Sequence, residues 1–511
     1  MRSSSSPTRG RFLASTTLAA ALVGTALAVA GPATAGTTGP LLKLVTPDAQ
    51  QSLERAKGDP IDLSGLDLYV VAQDSAVEID AHHHPYNTPI VATLSARGQT
   101  TTLPDKLVTS LQELKGFFSL TVTNSAGKQV KKISQAFCPD DYSAARAVPD
   151  APATSPYPTY CGSTHPFAIG DVFGLQRGWA VAALDNSSTA PSFKGKDGTY
   201  SVQLQVTKPW RAALGMTTAQ ATAKIKIKVT TGSGSDATRN TPATQNTPGT
   251  QNTPGTQNTP AAGAPVNRLS AAALATVPQP DLRSLPAYQI GLDRHDANGR
   301  PTKKTYLDFG ATVWNAGPSP LVVDGFRRPG TTLMDAYQYF FDQDGNQVGS
   351  VPAGALEWDG RKGHNHWHFK AFASYRLLDS SRKVALISGK EAFCLAPTDA
   401  IDLTVPGADW QPDSTGLETA CGQGEKGALS LREVLNTGWG DTYSQSLPGQ
   451  SFNVTKVPNG TYYIQVLANP DHKLTESSST NNSALRKIKL GGKVGGKRTL
   501  KVYPYQGVKA H

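Results

Sequence analysis

Gly363-His364-Asn365-His366-Trp367-His368-Phe369 sets three histidines at alternate positions. Apolar residues continue the alternation at Ala371, Ala373, Tyr375 and Leu377, so odd positions share one face of a strand and even positions the other. A period of two points to a strand here and sets the expectation of a mainly β chain. His364, His366 and His368 then line one face, about 6.6–6.8 Å apart between neighbours, opposite the face that packs. Tilted imidazoles converge on one ion from such spacing, so metal binding is the expected role. Neutral ring nitrogens suit copper(II), zinc or nickel, and spacing alone does not choose among them.

The same two-residue period recurs on either side. Leu307, Phe309, Ala311 and Val313 alternate, Tyr339 to Val348 brackets a Gln343-Asp344-Gly345-Asn346 turn, and Tyr462 to Leu467 reads as a strand. In the first half, Phe118, Leu120 and Val122 alternate with Ser and Thr, as do Val202, Leu204 and Val206 with Gln. Ile225, Ile227 and Val229 alternate with Lys224, Lys226 and Lys228. Two β-sandwich-like domains are expected, residues 36–230 and 266–511. Between them, residues 231–265 hold the Asn-Thr-Pro-Gly-Thr-Gln repeat of Asn240 to Pro260, which has no apolar rung to bury and reads as a semi-stiff extended spacer. His82-His83-His84 cannot converge on one ion from a strand, because adjacent residues face opposite ways, and it reads as a solvated turn before Pro85.

Residues 1–35 resemble a secretory signal: Arg2, Arg9 and Arg11, an apolar run from about Phe12 to Ala30, then Ala33-Thr34-Ala35 before Gly36. Export of a secreted, extracellular protein without a transmembrane anchor is expected. In an oxidising setting the four cysteines fall into local pairs, Cys138 with Cys161 and Cys394 with Cys421, each loop contributing about 3 kcal/mol in the chain-entropy model. The net charge of +10 is concentrated at the ends. The three arginines of residues 1–35 and the eight Lys and Arg of residues 486–511 account for all of it, leaving residues 36–485 nearly neutral. No aromatic-interleaved basic face supports a nucleic-acid partner. The basic C-terminal stretch reads as a tail, available to anionic cell-wall polymer or other secreted proteins, or simply solvated.

Trp358 through His368 resembles the copper-binding segment of the lysyl oxidase family, the copper- and quinone-dependent protein-lysine amine oxidases. The resemblance runs from about Pro280-Asp281-Leu282 to the C-terminal region. Gly389-Lys390-Glu391-Ala392-Phe393-Cys394-Leu395 is similar to the segment that supplies the cofactor's lysine, and Asp441-Thr442-Tyr443 to the one that supplies its tyrosine. The resemblance implies copper(II) held by His364, His366 and His368, and lysine tyrosylquinone formed from Lys390 and Tyr443. It further implies oxidative deamination of peptidyl lysine or other primary amines by dioxygen, giving aldehyde, ammonia and hydrogen peroxide. Asp441 is a candidate for the base. This chain departs from animal members in having Gly363 where they carry a cysteine, and in having fewer disulfides. Asn469-Pro470, Glu476 and Thr480-Asn481-Asn482 also match, although similar strings occur in extracellular immunoglobulin-like modules. The competing expectation is a non-catalytic metal-binding β-sandwich for adhesion or metal capture. A zinc hydrolase is less well supported, for lack of a paired carboxylate base near the strand.

Overall fold

The computed structural model describes residues 40–505 and 508, except 185–189, 233–266, 296–299, 329, 361–364, 371, 390–391, 415–416, 418 and 445–449. The N-terminal segment, the Asn240–Pro260 repeat, His364 and Lys390 therefore lie outside the described residues. Strands dominate the rest; the α-helices among the described residues are the short Lys208–Ala213 and Ala271–Leu274. None is long and apolar enough to cross a membrane.

In the first half, the alternating stretches pair as their side-chain period requires. Leu114–Asn124 lies antiparallel to Gly198–Val206, with Leu120 opposite Leu204 and Val122 opposite Val202. Gly198–Val206 in turn pairs with Thr222–Thr231, setting Val202 opposite Ile225. The shared register buries one face of this sheet against the strands Leu42–Val45, Tyr69–Ala72 and Val77–His83. Lys224, Lys226 and Lys228 remain exposed on the other face. His82 and His83 end the strand Val77–His83, His84 is exposed, and the His83 ring bonds the Thr88 carbonyl within the following turn.

Among the described residues, three sheets build the second half. One runs in the order Ala392–Phe393, His366–Lys370, Gln347–Asp359, Leu333–Phe341, Leu321–Arg327, Ser430–Leu435. A second joins Pro301–Asn315 to Trp439–Tyr443, and a third joins Val384–Ile387, Ala373–Leu378, Gly460–Ala468, Ser483–Gly492 and Arg498–Val502. One apolar core receives Trp367, Phe369, Phe372, Tyr375, Phe393 and Tyr443 from all three. Burial of each large side chain contributes about 1.5–3 kcal/mol.

Two expectations are corrected. The histidine stretch does not continue as one strand to Leu377: His366–Lys370 ends in one sheet, and Ala373–Leu378 begins in another after the buried Phe372. The basic residues after Arg486 are also not all tail, because residues 483–492 and 498–502 are paired strands.

The two halves touch closely. Phe167 and Ile169 share a cluster with Leu285, Trp314, Ile401 and Val405. Ile169 N–H donates to the Ile401 carbonyl at 2.7 Å, Gly170 bridges Asp402 in parallel, and Tyr157 stacks on Trp410 at 5.8 Å. The disulfides are Cys138–Cys161 and Cys394–Cys421, as the cysteine spacing predicts.

Candidate metal and cofactor site

The strand His366–Lys370 is flanked on both sides. Trp358 faces Trp367 and Asp359 faces His366 across one ladder, and Phe369 faces Phe393 across the other. Trp367 and Phe369 are fully buried, as their odd positions require. The opposite face is not open along its length. His366 is half-buried, but His368 is 1% exposed beside Asp359, itself buried. Alternation shows which side chains share a face; it does not show whether a second layer covers that face.

A disulfide-anchored loop holds this strand. Trp367 N–H donates to the Cys421 carbonyl at 2.9 Å, and the Trp367 indole N–H donates to the Glu425 carbonyl at 3.0 Å. Gly424 N–H donates to the Asn365 carbonyl at 2.7 Å, where Asn365 takes a left-handed φ of 55°, a conformation asparagine tolerates better than most residues. Gln423 of the same loop accepts from His366 Nδ1 at 2.9 Å. Asp359 Oδ2 faces His368 Nδ1 at 3.5 Å. An acceptor at Nδ1 favours the tautomer whose lone pair is on Nε2, which is how outer acceptors prepare a histidine for a metal. The two rings are 4.5 Å apart between centroids and nearly perpendicular, at 86°. Their donor nitrogens and proximity suit a divalent metal ion such as copper(II), zinc or nickel, without choosing among them. Among the described residues no group of three or more His, Cys, Asp and Glu forms a metal site, and the third histidine of the motif, His364, lies outside them.

The Cys394 end of the disulfide reaches the tyrosine. Tyr443 ends the strand Trp439–Tyr443, and its hydroxyl accepts Cys394 N–H at 2.8 Å while donating to the Cys394 carbonyl at 3.0 Å. Phe393 packs edge-on against its ring, at 4.9 Å and 89°. Burial pushes the Tyr443 phenol well above its ordinary value, reinforced by the charges of Asp441 and Glu433 and by Tyr375, while the Cys394 N–H acts the other way. At neutral pH this phenol is therefore protonated. Glu433 is fully buried and accepts Leu395 N–H at 3.0 Å, and burial raises its carboxyl well above the ordinary range. Asp441, named from the motif, is buried beside this group. Nothing in the sequence marked Glu433; Asp359 had only its place inside the Trp358–His368 segment, and Gln423 only its position two residues after Cys421.

The chain approaching Lys390 is fixed on either side of the undescribed residues. Ser388 N–H donates to the Tyr375 carbonyl at 2.9 Å, and Ala392 sits opposite Lys370. The first half reaches the far face of the tyrosine strand. His165 Nε2 bonds Thr312 Oγ1 at 2.9 Å, and Thr312 Oγ1 bonds Thr442 Oγ1 at 2.7 Å. Burial lowers the His165 imidazole to about 4, against the opposing pull of Asp399.

Fold and site together define a mainly β protein in which a partly buried histidine strand, a disulfide-anchored loop and a gripped tyrosine share one core. Residues 345–497 match the family model described as Lysyl oxidase, so the C-terminal part of the chain carries a domain of the lysyl oxidase family. Similar curated proteins include porcine (Sus scrofa) protein-lysine 6-oxidase, 29% identical over 137 residues, covering 26% of this chain and 48% of that protein. Human (Homo sapiens) lysyl oxidase homolog 3 is 27% identical over 141 residues, covering 27% of this chain and 16% of its own length. Zebrafish (Danio rerio) lysyl oxidase homolog 3B is 27% identical over 142 residues, covering 27% of this chain and 15% of its own. The chain thus spans less than half the length of these relatives.

Proposed function

We propose that this chain is a secreted, copper-dependent amine oxidase that deaminates peptidyl lysine or other primary amines, with His364, His366 and His368 as copper ligands and lysine tyrosylquinone formed from Lys390 and Tyr443. The observation that carries this reading is the position of Tyr443: its hydroxyl is held by Cys394, next to Phe393, which pairs with Phe369 of the histidine strand. Bound copper with dioxygen supplies the oxidising power to convert a phenol to a quinone, and the quinone accepts electrons from an amine. The chain's own residues do the rest. Gln423 holds Nδ1 of His366, leaving Nε2 as its donor atom, and the Asp359 carboxylate faces Nδ1 of His368 at 3.5 Å. The Cys394 grip fixes the phenol oxygen, and the buried surroundings keep the phenol protonated. Asp441, buried on the same strand, is the nearest carboxylate in sequence for taking a proton from the substrate.

Purified, copper-loaded protein is expected to show visible quinone absorbance and amine-dependent peroxide release blocked by phenylhydrazine. Its peptide map is expected to join Lys390 to Tyr443. Copper-loaded protein with neither chromophore nor cross-link would leave only the non-catalytic metal-binding reading.

A further inference from the structure

We infer that the outer face of the sheet formed by Gly460–Ala468, Ser483–Gly492 and Arg498–Val502 is a docking surface for a linear, phosphodiester-linked anionic polymer that carries no nucleobases. This inference is independent of the amine-oxidase reading. The inner face of the sheet is apolar: Tyr462, Ile464, Ile488 and Leu490 are buried in the core. On the outer face stand Lys487 and Lys489, with Lys501 from the edge strand, all exposed. Lys493 and Lys497 extend the row into the connecting turn. Residues 483–502 contain no Asp or Glu, and neither does Gly460–Ala468.

The register makes this more than a run of charge. Lys489 lies directly opposite Lys501 across the ladder. Like charges at directly opposed positions destabilise a sheet, so the pair is held at a cost that a bound anion would remove. An edge lysine alone would serve to block strand addition, but Lys487 and Lys489 lie on the inner of the two strands, already paired on both sides. Same-face lysines about 6.6–6.8 Å apart along a strand form a row of point charges suited to successive phosphates.

The aromatic rings select among polyanions. Lys487 and Lys501 both approach the Tyr503 ring, at 4.8 and 5.0 Å from its centroid, and Arg382 lies over Tyr463 at 3.7 Å. Rings engaged by cations do not offer the open stacking platforms that single-stranded nucleic acid uses. Beside the lysines these strands turn Thr461, Tyr463, Gln465, Leu467 and Leu485 outward. Tyr463, Leu467 and Leu485 are half-buried, and the exposed Val494 of the turn is a single apolar side chain, not the row that inserts into a bilayer interface.

Fluorescently labelled poly(glycerol phosphate), a phosphodiester polymer without nucleobases, is the probe, titrated against the full chain at several salt concentrations. Binding is expected, weakening as salt rises. K487Q/K489Q/K501Q should weaken it at least tenfold and lower the slope of log affinity against log salt by about 3. K224Q/K226Q/K228Q, which removes the same charge from the first half, should leave binding unchanged. K489E, which sets opposite charges across the ladder from Lys501, should raise Tm while weakening binding, so loss of binding cannot be mistaken for misfolding. Equal loss in the two triple variants, no loss in the first, or tighter binding at matched phosphate to phosphatidylglycerol vesicles or single-stranded DNA would overturn the proposal.

Discussion

The Tyr443 hydroxyl is held at two points by one residue, Cys394, accepting its N–H at 2.8 Å and donating to its carbonyl at 3.0 Å. Because Cys394 is also bonded to Cys421, the tyrosine, the strand after Lys390 and the loop that clasps the histidine strand are mechanically one unit. Removing a hydroxyl from such a grip leaves buried backbone groups without a partner, at about 1–3 kcal/mol. Tyr443→Phe is therefore expected to lower stability by that amount, abolish the quinone absorbance and turnover, and leave copper bound. Denaturant melts, visible spectra and metal analysis check the three parts separately. A fully active variant would refute the cofactor role of Tyr443.

Opening the Cys394–Cys421 bridge should affect both ends of the site. Its 27-residue separation corresponds to about 3–4 kcal/mol in the chain-entropy model. The Cys394→Ser/Cys421→Ser variant is expected to lose about that much stability by urea melts. Its copper affinity should also fall, because Gln423 loses the anchor that keeps it on His366. Unchanged copper affinity would show that the loop holds its place without the bridge.

Gln423→Ala and Asp359→Ala test the outer acceptors directly. The first removes the acceptor of His366 Nδ1 and the second the carboxylate that faces His368 Nδ1, so each is expected to weaken copper binding about 10–100-fold, with a smaller effect on Tm. Competition titration against a chelator measures the first and calorimetry the second. Restoration by Asp359→Asn, which keeps an acceptor oxygen, would separate orientation from charge.

Asp171 provides a pH-dependent prediction away from the metal. It is 3% exposed, its Oδ1 accepts Val172 N–H at 2.9 Å, and burial, followed by the Val172 bond acting the other way and the Asp402 charge, leaves its carboxyl well above the usual 3.8. The native state thus keeps a proton that the unfolded chain gives up. The contribution is fully present below the unfolded value of 3.8 and is lost as pH rises from there towards the folded value, with a slope of at most about 1.4 kcal/mol per pH unit. Asp171→Asn should stabilise the protein at pH 7 relative to the parent, the difference shrinking towards pH 4. A pH-independent difference would mean that the carboxyl is not the group responsible.

Much of this protein was legible in the chain itself. The two-residue period of Phe118–Leu120–Val122, Val202–Leu204–Val206 and Ile225–Ile227–Val229 determined which side chains face the core, because a pleated strand has no other way to place them. The spacing of four cysteines anticipated both bridges, and the histidine, Lys390 and Asp441-Thr442-Tyr443 motifs pointed to the family domain that residues 345–497 carry. Only the tertiary structure decided what covers the second face of a strand and what approaches it from elsewhere in the chain. His368 is buried because it sits beside Asp359 within a layered sheet, Glu433 lies beneath Leu395 from 38 residues away, and Lys501 turns a supposed tail into a charged face opposite Lys489. Alternation is a local property of the backbone, whereas burial, electrostatic neighbours and cross-strand register depend on contacts between segments that no local period encodes.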